Sequence, residues 1–103
     1  MLRCHGCGTL WQPLNRDPEQ RLPEQYGETY YNSWGDPEAA RLLKLHTFSR
    51  LLCLLERYVP PGRLLDVGCA MGALLDAAAS RGWHPTGVEI SAFAAERARE
   101  ALG

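Results

Sequence analysis

The sequence has 103 residues, 46% hydrophobic and 22% charged, with 11 basic and 12 acidic side chains and a formal charge of −1. That balance excludes a globally disordered chain and the basic footprint that a nucleic-acid backbone requires. The longest apolar-rich run, Leu51 to Leu55, is far below the roughly 20 residues needed to span a bilayer.

Met1-Leu2-Arg3-Cys4 is followed by polar residues rather than an apolar segment, so no secretory leader is read there. Cysteines stand at 4, 7, 53 and 69, one Cys-x-x-Cys pair and two isolated thiols, which is not a secreted disulfide framework. A cytoplasmic protein is expected, with neither nucleic acid nor membrane as its partner.

In chain order, residues 1–35 form a lead segment distinct from the rest, with three of the seven prolines and three of the four tyrosines. Cys4-His5-Gly6-Cys7-Gly8 reads as a turn and Thr9 to Gln12 as a short strand leaving it. Asp17-Pro18-Glu19 is a helix start, with Asp as N-cap and Pro at the first helical position, interrupted by Pro23.

Residues 36–103 form the second unit. Asp36-Pro37-Glu38 repeats the start signal, and no proline or glycine intervenes from Ala39 to Val59. Leu45, Phe48, Leu52, Leu55 and Val59 recur at spacings of three and four, one apolar face of a long helix ended by Pro60-Pro61-Gly62. Such a stripe is read first as core. Arg63-Leu64-Leu65-Asp66-Val67 is a buried strand, followed by a loop and a helix from Gly72 to Arg81 with Gly82 as C-terminal cap. His84 to Glu89 is a second strand. Ser91 caps an Ala-rich helix reaching Leu102. Strand, glycine turn, helix, strand and helix make a βαβ unit, so the predicted class is α/β with a parallel sheet.

The chemistry concentrates at the end of the first of these strands. Gly68 allows a ligand to approach the backbone with no Cβ in the way. Gly72 lets the next helix begin close to the strand and aim N–H groups at a ligand. Glu89, twenty-three positions after Asp66, stands at the tip of the second strand, where a carboxylate can accept ribose hydroxyls. A nicotinamide dinucleotide would want glycine at the first, third and sixth loop positions. Here those are Gly68, Ala70 and Ala73. Asp66 would repel a pyrophosphate and suits a cationic ligand. Cys69 is read as a small apolar filler, since no histidine base stands beside it in sequence.

Leu64-Leu65-Asp66-Val67-Gly68-Cys69-Ala70-Met71-Gly72 resembles the first motif of class I S-adenosylmethionine-dependent methyltransferases, and Gly87-Val88-Glu89-Ile90-Ser91 resembles their second-strand motif. The resemblance implies a three-layer Rossmann-like fold and S-adenosylmethionine as cofactor. Asp66, Gly68, Cys69, Ala70 and Gly72 would line the site, with Gly68 to Gly72 wrapping the methionine portion. Glu89 would hold the ribose and Ile90 would lie against adenine. Ala70 replaces the glycine commonest at its position. The acceptor would be a small molecule, such as a sugar, glycan or natural product, and no catalytic residue can be named. The plain alternative is a βαβ unit whose glycines serve packing alone.

Cys4-x-x-Cys7-Gly8 with Thr9-Leu10-Trp11 resembles one knuckle of a zinc ribbon, and Tyr26, Tyr30, Tyr31 and Trp34 fit the Tyr-rich segment that follows such ribbons. Structural zinc needs four ligands, and Cys4 and Cys7 supply two. An unmetallated turn is the alternative. The resemblance places a second cysteine pair before residue 1 and further strands beyond residue 103. The chain is therefore expected to be a fragment or a decayed copy, without turnover by itself and either self-associating through an unpaired sheet edge or only partly ordered. Two other functions stay open: a zinc-knuckle adaptor using the βαβ part as scaffold, and a nicotinamide-dependent oxidoreductase fragment, which the loop disfavours.

Overall fold

The computed structural model describes residues 1–13, 25–33 and 35–103. The helix start expected at Asp17-Pro18-Glu19, its interruption at Pro23, and Trp34 of the Tyr-rich segment lie outside the described residues. Those described form a mixed α/β chain of four helices and four strands.

The N-terminal turn is the tip of a hairpin. Strands β1 (Leu2–Arg3) and β2 (Leu10–Trp11) pair antiparallel, Leu2 opposite Trp11 and Arg3 opposite Leu10. The Cys4 N–H donates to the Thr9 carbonyl at 2.8 Å, and the Gly8 N–H to the Cys4 carbonyl at 3.0 Å. Gly8 has φ 77°, in the left-handed region that glycine adopts without a steric penalty. The strand expected over Thr9 to Gln12 is thus present but shorter, and its partner β1 was not foreseen, because two residues carry no periodicity to read.

Helix α1 spans Glu28–Asn32 and the long helix α2 spans Pro37–Leu55. Asp36 caps α2 as its sequence predicts, its Oδ1 accepting the Glu38 N–H at 3.1 Å. The helix stops short of Val59: Glu56 is its C-cap, and residues 56–58 form turns. Only the middle of the expected stripe is core. Leu52 is buried, with Leu45 and Phe48 packed beside it. Leu55 and Val59 are exposed, as are Leu42, Leu43, Leu51 and Leu54.

The parallel pair comprises β3 (Arg63–Val67) and β4 (His84–Val88), joined through α3 (Ala73–Ala79) and followed by α4 (Ala92–Leu102). The register runs from Arg63 opposite His84 to Val67 opposite Val88. After α3, the N–H groups of Gly82 and Trp83 return to the Ala79 and Ala78 carbonyls, both at 3.1 Å. With Gly82 at φ 84°, this is the glycine-terminated helix end that Gly82 predicts. Ser91 Oγ accepts the Ala94 N–H at 3.2 Å and caps α4.

Leu52, Ala77, Ala78 and Trp83 form the core, with Leu64 and Leu74 against it. Complete burial of a leucine such as Leu52 stabilises by about 1.5–3 kcal/mol. Glu56 locks the end of α2 to the α3–β4 turn: it receives Nε of Arg81 at 2.8 Å and the Trp83 indole N–H at 3.0 Å, and it pairs with Arg81 Nη2. The other sheet face carries Leu65, Val67 and Val88, all exposed. The described residues place α2 and α3 against the Leu64 face of the parallel pair, in a mixed α/β arrangement.

Candidate functional site: an acidic, glycine-bent loop

The loop between β3 and α3 bends three times through positive φ: Gly68 at 83°, Ala70 at 49° and Gly72 at 82°. Ala70 is the one non-glycine with positive φ among the described residues. An L-residue held there costs roughly 1–2 kcal/mol. The bends are held from below, since the Val88 carbonyl accepts the N–H groups of Gly68 at 2.8 Å and Cys69 at 3.1 Å. The Gly72 N–H closes on the Cys69 carbonyl at 2.9 Å.

Glu89 completes the support. Its Oε2 accepts the Ala70 N–H and its Oε1 the Ser91 N–H, both at 2.8 Å. The residue is half-buried, not the bare strand-tip carboxylate that the sequence suggests. Each oxygen retains a lone pair for a further donor. Asp66 stands on the neighbouring strand end, half-buried and without an ion pair among the described residues. Burial, and then the nearby Glu89 charge, push its carboxyl above the ordinary range. The cavity that Asp66 lines also takes Glu28, Arg41, Lys44 and Arg97 into its wall, so both signs of charge face it.

The glycines divide their work differently from expectation. A Cβ on Gly68 would meet nothing within 4 Å, so the backbone there is open to a ligand. A Cβ on Gly72 would lie 2.8 Å from Leu102 Cδ1 and 3.3 Å from Ala98 Cβ. Gly72 thus admits α4, rather than bringing α3 close to its own strand. Gly87 is as constrained, its Cβ position lying 2.6 Å from Cys69 Sγ and 2.7 Å from Leu75 Cδ1. Cys69 is buried, and desolvation raises its thiol above the usual range. Its sulfur packs against the Gly87 backbone.

Asp66, Gly68, Cys69 and Ala70 line a cavity of about 560 Å³, within the roughly 300–1,000 Å³ typical of small-molecule sites. Its opposite wall comes from the lead segment and the long helix: Tyr31, Phe48 and Lys44, with Phe93 from α4. Tyr31 is buried, its ring 6.0 Å from that of Phe93, and burial raises its hydroxyl pKa. Desolvation lowers that of Lys44. None of these wall residues was singled out as a site residue. Phe93, the one aromatic in the Ala-rich α4, was the available signal. Glu89 lines a second cavity between α3, α4 and β4, shared with Cys69, Gly87 and Leu102. Gly72 and Ile90 line neither, and Ile90 is exposed.

Cys4 and Cys7 lie at the hairpin tip. Cys7 Sγ is 3.1 Å from Thr9 Oγ1. The Thr9 hydroxyl, then its backbone, and then the Cys4 thiol lower the Cys7 pKa from 9.0 to about 7. No group of three or more His, Cys, Asp or Glu placed to hold a metal occurs among the described residues. No helix among them is long and apolar enough to cross a membrane.

No protein-family model matches the chain, and no curated protein matches it significantly.

Proposed function

We propose that residues 36–103 bind S-adenosylmethionine and that the chain is the cofactor-binding part of a Rossmann-like class I methyltransferase. One observation carries the reading: Asp66 and Glu89 bring two carboxylates to adjacent strand ends, on either side of a loop whose Gly68 backbone is bare. The cofactor supplies a methyl group on a sulfonium to an acceptor nucleophile. Its cationic ammonium and sulfonium groups suit Asp66, and its carboxylate suits the Arg41 and Arg97 that line the same cavity. Glu89 holds the loop through Ala70 and keeps acceptor capacity for ribose hydroxyls, with Ile90 exposed beside it for an adenine. Tyr31, Phe48 and Phe93 give the cavity an apolar wall against which a small acceptor, sugar or natural product could pack. Positioning of this kind is much of what methyl transfer needs.

Calorimetry on the purified chain with S-adenosylmethionine, S-adenosylhomocysteine and NAD tests the reading. Binding of the first two without NAD is expected. Binding of NAD alone, or of none of the three, overturns it. A radiolabelled methyl-transfer assay is expected to show no turnover by the 103-residue chain. Among the described residues the sheet has two strands, below the three that independent stability usually requires, and self-association through the open edge of β3 is part of the same reading.

A further inference from the structure

We propose that the outward side of α2 docks one α-helix of a partner protein, a helix whose apolar residues meet leucines and whose carboxylates meet arginines. The inward side of α2 is occupied within the chain: Leu45, Phe48 and Leu52 pack in the core, and Arg41 pairs with Asp76. On the opposite side stand Leu43, 68% exposed, Leu51, 52%, and Leu54, 48%. A helix that is apolar on both sides is one built to be covered on both.

The outward residues fall on one seam. Leu43, Thr47, Arg50 and Leu54 follow one another at spacings of four, three and four, and Arg57 comes three residues on, in the turn after the helix. Alternation of three and four is the repeat along which a second helix packs, crossing at about 20°. From Leu43 to Arg57 the seam runs about 21 Å along the axis, room for about four turns of a partner. Thr47 does not interrupt the apolar run, because its hydroxyl donates to the Leu43 carbonyl at 2.9 Å and is satisfied within α2.

Charge selects the partner. From Ala39 to Val59 the one acidic side chain is Glu56, and Arg81 and Trp83 engage it. The exposed Arg50 and Arg57 guanidiniums have no hydrogen bond or ion pair among the described residues. A bilayer fits poorly, because Arg50 lies between Leu43 and Leu54 on the seam and would have to follow them among acyl chains. A second copy also fits poorly. Setting Leu43 against Leu54 of an antiparallel copy brings both Arg50 side chains near the two-fold axis, with no acid between them. A helix carrying glutamate or aspartate opposite Arg50 and Arg57 satisfies both guanidiniums with the two-pronged contacts that arginine favours. Apolar residues opposite Leu43 and Leu54 then exclude water around those pairs.

The test uses the full chain and a pair of labelled helical peptides of about 20 residues, long enough to follow the seam. In one, leucine and glutamate are set at three-four spacing to meet Leu43, Leu54, Arg50 and Arg57; in the other, lysine replaces glutamate. Fluorescence anisotropy is expected to show binding of the glutamate peptide, with the lysine peptide weaker by about tenfold or more. Arg50→Glu/Arg57→Glu should reverse that preference, an outcome that misfolding does not produce. Leu54→Glu should remove binding of the glutamate peptide while circular dichroism stays that of the parent. Equal binding of the two peptides, binding of neither, or a preference unchanged by the charge reversal overturns the proposal. Uptake by phosphatidylserine vesicles that Leu54→Glu abolishes overturns it in favour of a membrane. Self-association that Leu54→Glu abolishes overturns it in favour of a second copy.

Discussion

The Glu89 carboxylate accepts the N–H of Ala70 at 2.8 Å while Ala70 sits at φ 49°, so a side chain on one strand end pins the strained residue of the loop beyond the other. The other oxygen of the same carboxylate accepts the Ser91 N–H. Ligand recognition and loop order are therefore coupled through one residue. Glu89→Ala should lose stability as well as affinity, about 1.5–3 kcal/mol for each charged hydrogen bond removed. Thermal unfolding and calorimetry on the same variant check this. Lost affinity with an unchanged melting temperature would contradict the structural role.

Ala70→Gly tests the strain directly. The left-handed conformation costs an alanine roughly 1–2 kcal/mol, and glycine's extra unfolded-state entropy returns about 0.5–1 of that. A net gain of up to about 1.5 kcal/mol is expected, each kcal/mol being worth about 4–8 °C in a domain of this size. Ala70→Val should fall well below the parent. A lower melting temperature for the glycine variant would show that the loop is not strained.

Gly72→Ala places a methyl against Leu102 and Ala98 in a conformation alanine resists, and a loss of about 1–3 kcal/mol is expected from overpacking. Leu102→Ala in the same chain should recover part of the loss, because the steric share disappears and the backbone share remains. Denaturant midpoints of the two single variants and the double variant measure the coupling.

Acid stability should centre on Glu56. Its bond to Arg81, then that to Trp83, holds its pKa near about 2 against an ordinary 4.5, so its stabilisation is present above about 4.5 and is lost as pH falls toward 2. Glu56→Gln should lower the melting temperature at pH 7 and flatten its decline in acid. Asp66 has the opposite sign. Its carboxyl is raised by burial, so its contribution is present at low pH and lost as pH rises through the raised value. Asp66→Asn should therefore stabilise the ligand-free chain at pH 7 while weakening binding of a cationic ligand.

Cys7 should be the most reactive thiol near neutrality, with its pKa at about 7. Thr9→Val removes the hydroxyl that contributes most to that shift, and the pH midpoint of iodoacetamide labelling at Cys7 should rise toward 9.0. Cys69, buried and shifted upward, should label only on unfolding.

Local chemistry was readable from the chain alone where it is local in fact. Asp36 with Pro37, Ser91, and Gly82 after the third helix mark element ends because caps depend on residues within one turn. The β3–loop–α3–β4 order and the acidic loop could be read for the same reason, since strand runs and turn glycines announce themselves within a few positions. Partners distant in sequence were decided only by the tertiary structure. Periodicity could not say that Leu55 and Val59 would stay exposed while Leu52 is buried, because that depends on where α3 ends against α2. The Gly72 contact with Leu102 joins residues thirty positions apart. Tyr31 and Phe93 meet across the cavity from different units of the sequence. The Glu89 carboxylate is engaged by two backbone donors, one of them nineteen residues away. Caps and turns are set by covalent neighbours; cavities and buried carboxylates are set by what the packed chain brings beside them.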